Sequence, residues 1–116
     1  MSAITNVFDN GGTAWPTDPN PNTTAPAAAR QFDTPAPQTP SDSSVLYIVP
    51  TDGTTVSLHL WLFDTTLNSW FAVGSALSCP PNQQTTIANV PRGLVGFLQV
   101  TLNVGVTKFA VGFLGD

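Results

Sequence analysis

The chain carries few side chains able to do acid–base or nucleophilic chemistry. It has one histidine, His59, one cysteine, Cys79, one lysine, Lys108, and no glutamate. His59 and Asp64 make a Ser-His-Asp arrangement arithmetically possible, yet no nucleophile-elbow motif is present and His59 lies between leucines in a strand-like run. It reads as an ordinary sheet side chain. Cys79 precedes Pro80-Pro81 with no base nearby, and reads as a buried or idle thiol. Metal-ligand spacing is absent: there is no CxxC, no HxxxH and no second histidine. Asp18-Pro-Asn-Pro-Asn22 echoes the opening of a calcium loop, where oxygens recur at every second residue. It lacks the later glycine and acidic residue, and its prolines stiffen the chain, so extended backbone is the expectation. Asn22-Thr-Thr24 is a formal glycosylation sequon without a secretory leader beside it. Gly11-Gly12 does not join a strand to a helix, and Gly93-Leu-Val-Gly96 falls inside a strand, so neither is a phosphate loop. Asp52 and Asp64 sit in turns, where aspartate caps its own backbone. The expectation is a non-enzyme with no catalytic, metal or cofactor site.

Trp61 and Trp70 are the stronger functional signal. They flank one expected hairpin and could stack on sugar rings or pack at a subunit interface. Sugar sites also need polar donors and acceptors, and only Asp64 and Asn68 are close in sequence.

Composition limits what elements can position these residues. Charged residues make up 9% of the chain and apolar residues 41%, with threonine, serine, asparagine, proline and glycine filling the gap. These residues favour strands, turns and extended chain over helix. A net charge of −4 with three cations gives no electrostatic footprint for nucleic acid. No apolar run is long enough for a membrane helix, and the N-terminus has neither a basic nor an apolar leader region. Synthesis in a cytoplasm without a membrane anchor is expected, and a lone cysteine excludes an intrachain disulfide.

The composition changes near residue 44. Residues 1–44 contain 7 of the 11 prolines and few large apolar side chains. The expectation is an extended, proline-rich N-terminal arm, able to span about 130 Å at roughly 3.1 Å per residue. Phe8, Trp15 and Phe32 are its natural anchors in pockets of neighbouring subunits, and removing 1–44 should leave a folded domain.

Residues 45–116 read as an all-β domain, a small β-sandwich or jelly-roll-like unit. Val45–Val49 is an apolar run stopped by Pro50. Val56, Leu58, Leu60 and Leu62 alternate with Ser57, His59, Trp61 and Phe63 at the period of a strand. A polar turn over 64–69 leads into a return strand, Trp70–Val73, closed by Gly74. Thr85–Val90 is a further strand. Leu94–Leu102 and Val106–Leu114 are expected to pair as a hairpin through Asn103-Val-Gly105. Several strands are apolar on both faces, and residues 45–116 carry only Asp52, Asp64, Arg92, Lys108 and Asp116 as charges. A bare strand of this kind is an aggregation hazard, which predicts burial in an oligomer or larger assembly.

The segments Val56-Ser-Leu-His-Leu-Trp-Leu-Phe-Asp-Thr-Thr-Leu-Asn-Ser-Trp70 and Asn89-Val-Pro-Arg-Gly-Leu-Val-Gly-Phe-Leu-Gln-Val-Thr101 resemble small β-sandwich structural proteins of tailed-bacteriophage particles. In that group a strand with Trp, a polar turn, a second Trp and a later P-x-G…F-L-Q-V strand recur. The resemblance covers residues 45–114. It implies a virion protein of the capsid decoration (cement) type, made in the host cytoplasm. Such a protein would form a homo-oligomer, with a trimer favoured, and clamp the major capsid protein. The alternative expectation is a glycan- or receptor-binding module of a phage tail or fibre, using Trp61 or Trp70.

Overall fold

The computed structural model describes residues 4–9, 20–26, 30–37, 43–103 and 108–114. Within them run eight strands: β1 (Ile4–Asp9), β2 (Gln31–Asp33), β3 (Ser43–Pro50), β4 (Val56–Asp64), β5 (Ser69–Cys79), β6 (Thr85–Pro91), β7 (Val95–Asn103) and β8 (Lys108–Leu114). They form two antiparallel four-stranded sheets, sheet A in the order β1-β8-β3-β6 and sheet B in the order β2-β7-β4-β5. The pairs are nested. The first strand meets the eighth, the second the seventh, the third the sixth and the fourth the fifth, and successive pairs alternate between sheets. Every connection except β4–β5 therefore crosses from one sheet to the other.

Alternation sets which side chains meet between the sheets. On β4, Val56, Leu58, Leu60 and Leu62 are buried, while Ser57, His59, Trp61 and Phe63 are half-buried on the outer face. Leu46 and Ile48 of β3 and Phe109, Val111 and Phe113 of β8 join the same core as Leu98 and Val100 of β7. Each such side chain contributes about 1.5–3 kcal/mol on burial.

The N-terminal segment departs from the expected arm. β1 pairs with β8 over Ile4–Asp9, and β2 pairs with β7 over Gln31–Asp33. Phe8 and Phe32, expected to anchor in neighbouring subunits, are 5% and 4% exposed in the core of their own chain. Phe8 lies 5.3 Å from Phe109 and 6.3 Å from Phe32, and Phe32 lies 6.1 Å from Phe113, ring centre to ring centre. After β2 the chain stays fastened. Thr34 N–H donates to the Leu94 carbonyl, Leu94 N–H donates to Thr34 Oγ1, and Gly93 N–H donates to the Pro35 carbonyl, each at 2.8 Å. Arg92 reaches the carbonyls of Ala36 and Ser43. A boundary at residue 44 falls inside β3, and strands on both sides of it complete the sheets. The physical reason is economy: a short edge strand needs only one core residue, so sparse apolar content does not exclude it. Trp15 and Asp18 lie outside the described residues.

Two further expectations change. The strands expected as a hairpin over 94–114 lie in different sheets, with β7 between β2 and β4 and β8 between β1 and β3. The loop chemistry noted there does not distinguish a hairpin from a crossover, and residues 104–107 lie outside the described residues. β5 also continues past Gly74 to Cys79. Leu58 opposes Leu77 and Leu60 opposes Val73, so Gly74, Ser75 and Ala76 together face His59. Gly74, at φ 65°, opens a bulge where a strand end was expected.

Candidate functional site: an aromatic face on sheet B

The side chains able to do chemistry are held in separate structural bonds. His59 Nε2 lies 2.9 Å from the Gly74 carbonyl, at the β5 bulge that stands opposite it. Asp64 Oδ1 accepts from Thr66 N–H at 2.8 Å and Leu67 N–H at 3.2 Å, capping the β4–β5 turn, where Asn68 takes φ 53°. His59 and Asp64 are five residues apart on one extended strand, about 17 Å along it. They do not meet. Cys79 is buried, and desolvation pushes its thiol pKa up against a smaller lowering by a hydrogen bond with Thr85. Among the described residues no three His, Cys, Asp or Glu side chains gather as a metal site. In the calcium-like stretch, Asn20 Oδ1 accepts from Asn22 N–H at 2.8 Å, and the Asn22 amide is engaged elsewhere.

Trp61 and Trp70 share the outer face of sheet B. Antiparallel register places Trp61 opposite Ala72 on β5 and Phe97 on β7, Phe63 opposite Trp70, and Gln31 opposite Phe97. The rings form a continuous row. Phe63 and Trp70 meet edge to face at 5.2 Å, and Trp70 and Phe97 meet likewise at 6.3 Å. The Arg30 guanidinium sits 5.6 Å from the Phe97 ring centre, a cation–π arrangement. Trp61 Nε1–H donates to Gln99 Oε1 at 3.0 Å, and His59 lies 5.9 Å from the Trp61 ring.

A strap formed by residues 20–26 is docked beside this row. Asn20 turns the chain, its carbonyl accepting from the N–H groups of Thr23 and Thr24. The Asn22 amide then clamps edge strand β5: Nδ2 donates to the Trp70 carbonyl at 2.8 Å, and Oδ1 accepts from Trp70 N–H at 2.7 Å. The side chain thus reproduces the bond pair of a neighbouring strand at one residue. Gln31 Nε2 donates to the Pro26 carbonyl at 3.1 Å, fixing the other end of the strap. Between strap and sheet lies a cavity of about 260 Å³, lined by Ala25, Pro26, Gln31, Phe63, Trp70 and Val95.

The sequence pattern identifies Trp61 and Trp70 but misses Asn22, Gln31, Phe63, Phe97 and Gln99 as their companions. Phe63 was legible in principle, since it stands two residues from Trp61 on one strand. Gln31, Phe97 and Gln99 come from strands distant in sequence, which only the nested pairing brings in, and Asn22 arrives through its side-chain clamp on β5.

A second surface lies where the two sheets end together. β5 is the edge of sheet B and β6 the edge of sheet A. Val73, Leu77, Ile87 and Ala88 are among the residues lining a cavity of about 230 Å³ between them. No Asp, Glu, Lys or Arg occurs from Thr65 through Pro91.

Comparison with protein-family models, with curated proteins and with solved structures returned no match to this chain.

Proposed function

We propose that this chain is a non-enzymatic structural protein of a viral particle, of the capsid decoration type, acting by self-association and attachment to a major capsid protein. The carrying observation is the uncharged double edge formed by β5 and β6. Proteins that remain monomeric blunt their sheet edges with charge, proline, bulges or covering segments. Here the Asn22 clamp covers one residue of β5, and bulges bend both edge strands, with Asn89 at φ 60° in β6. Charge protects neither. Such an edge is suited to burial against another subunit, and a homo-oligomer, with a trimer favoured, would bury it repeatedly.

The fold reading beneath this proposal is a β-sandwich wound as a jelly roll. Its support is the interleaved order of eight strands, 1-8-3-6 over 2-7-4-5, which is that of two intertwined Greek keys. Jelly rolls serve capsid and lectin domains alike, so the wrapping does not choose the function by itself. The scarcity of charge and the resemblance to tailed-phage structural proteins favour the particle. Attachment through Phe8 and Phe32 is not part of the proposal, because both side chains complete this chain's own core. Its mechanism is burial of apolar edge surface across seams between shell subunits.

Sedimentation of native source material, with this chain followed by mass spectrometry, tests the proposal. Travel with a megadalton particle at a fixed ratio to its shell protein is the expected result. Recovery solely as a free monomer in the soluble fraction would refute it.

A further inference from the structure

We propose that the cavity between the 20–26 strap and sheet B is a binding site for one ring of a neutral saccharide. The site shares strand β5 with the edge of the assembly reading, but its walls lie on the outer face of sheet B and not in the β5–β6 cavity, so the two are tested separately.

Three observations give the ligand its chemistry. First, Trp70 and Phe63 form an apolar aromatic wall, and the C–H face of a pyranose is the part of a sugar that packs on such a wall. Second, Gln31 supplies the polar group that the sequence neighbourhood of the tryptophans lacks. A primary amide offers two N–H donors and a carbonyl acceptor, and one donor is held by the Pro26 carbonyl. That bond fixes the amide's direction and leaves its oxygen to accept from a hydroxyl. Third, none of the described residues lining the cavity is charged, and the Arg30 guanidinium of the same face sits over the Phe97 ring and is not among them, which matches a neutral hexose.

Size and shape separate this ligand from a proline-rich peptide. Polyproline recognition uses successive aromatic slots along an open groove. The strap closes one side of this cavity, and its roughly 260 Å³ holds a single ring. The strap is also part of the site. Ala25 and Pro26 form one wall, and the Asn22 clamp on Trp70 holds that wall at a fixed distance from the indole.

The test uses the full chain, labelled for amide and indole N–H signals. It is titrated with methyl glycosides of glucose, galactose, mannose and N-acetylglucosamine, and with galacturonate as the acidic probe. The expected result is a saturable shift of the Trp70 indole N–H with at least one neutral glycoside, and a weaker response to galacturonate. Trp70→Ala and Gln31→Leu should each weaken that binding about tenfold or more, the change expected when a contact of about 1.4 kcal/mol is lost. Trp70→Phe guards against misfolding, because the Asn22 clamp holds the backbone of residue 70 and not its side chain. Asp52→Asn, exposed in the turn between β3 and β4 and outside the cavity, should leave affinity unchanged. The inference is overturned if no neutral glycoside moves the Trp70 signal, or if binding survives Gln31→Leu and Trp70→Ala. It is equally overturned if the signal responds to a proline-rich peptide or to protein concentration and not to sugar. Either failure leaves the sedimentation result, and with it the assembly proposal, unaffected.

Discussion

Truncating Phe32 distinguishes a chain whose N-terminal segment belongs to the fold from one whose segment hangs free. Phe32 is 4% exposed, packs on Phe8 and Phe113, and covers Gly96, its partner on β7. The fit is close: a Cβ built on Gly96 would stand 2.7 Å from the Phe32 ring. Phe32→Ala therefore opens a ring-sized void that the glycine opposite cannot fill. A buried Phe→Ala change costs about 3–5 kcal/mol. Domains of this size are stable by roughly 5–15 kcal/mol, so most of the margin is at stake. With a urea slope of roughly 1–2 kcal/mol per molar, the midpoint should fall by about 2–4 M. The assay is urea unfolding followed in parallel by circular dichroism and tryptophan fluorescence. Phe32→Leu keeps most of the volume and should cost about 1 kcal/mol, which keeps the series readable if the alanine variant does not fold. Deleting residues 1–44 removes β1 and β2 together and should abolish cooperative unfolding. A Phe32→Ala midpoint indistinguishable from the parent, or a deletion variant that unfolds cooperatively, would refute the reasoning and restore the free arm.

Four other outcomes are expected. Gly112→Ala should destabilise by about 1–3 kcal/mol, because its Cβ would run into the Tyr47 ring and hydroxyl. In a Tyr47→Ala background the same change should be close to neutral, which a double-mutant cycle in urea measures. Asn22→Ala should cost about 1–2 kcal/mol through its two bonds to β5 and should speed amide exchange at Trp70, read by hydrogen exchange. Cys79 should resist iodoacetamide in the native state at mildly alkaline pH and react fully in denaturant, read by mass spectrometry. The same raised pKa means that its contribution to stability holds below the ordinary thiol range and fades as pH rises through the folded value. Ala88→Lys on β6 should leave the unfolding midpoint unchanged within about 0.5 kcal/mol, yet reduce self-association in sedimentation equilibrium.

The strands were legible where one face alternates with the other. The leucine ladder of β4 announces both its conformation and its buried face. The polar turn at 64–69 announces the hairpin to β5, because Asp64 and Asn68 are residues that turns recruit. The pairing was less legible. Turn residues between β7 and β8 carry no information on whether the next strand lies beside the last or across the core. The glycine at 74 looked like a stop because glycine serves bulges and strand ends equally well. Phe8 and Phe32 were misread because composition averages over a segment, whereas a three-residue strand is held by one ring in the right place. For the candidate site, the two tryptophans were visible in the sequence. Gln31 and Asn22 became their neighbours only through the pairing of β2 with β7 and a side-chain clamp reaching 48 residues along the chain.

The nested pairing also sets the order in which this protein can be made. Only β4 and β5 find each other across a short turn; every other pair closes a longer loop than the one before it, ending with β1 against β8. A chain emerging from the ribosome therefore holds β1 and β2 without their partners until β7 and β8 have been made. The central hairpin is the most local pairing in this order, and the outer pairs close with the slow kinetics of non-local strand pairing. Until then β1 and β3 have no β8 to separate them, and β2 has no β7. The outer strands β1 and β2 are thus the last to be covered, and their unpaired edges are where the forming fold is open to wrong pairing.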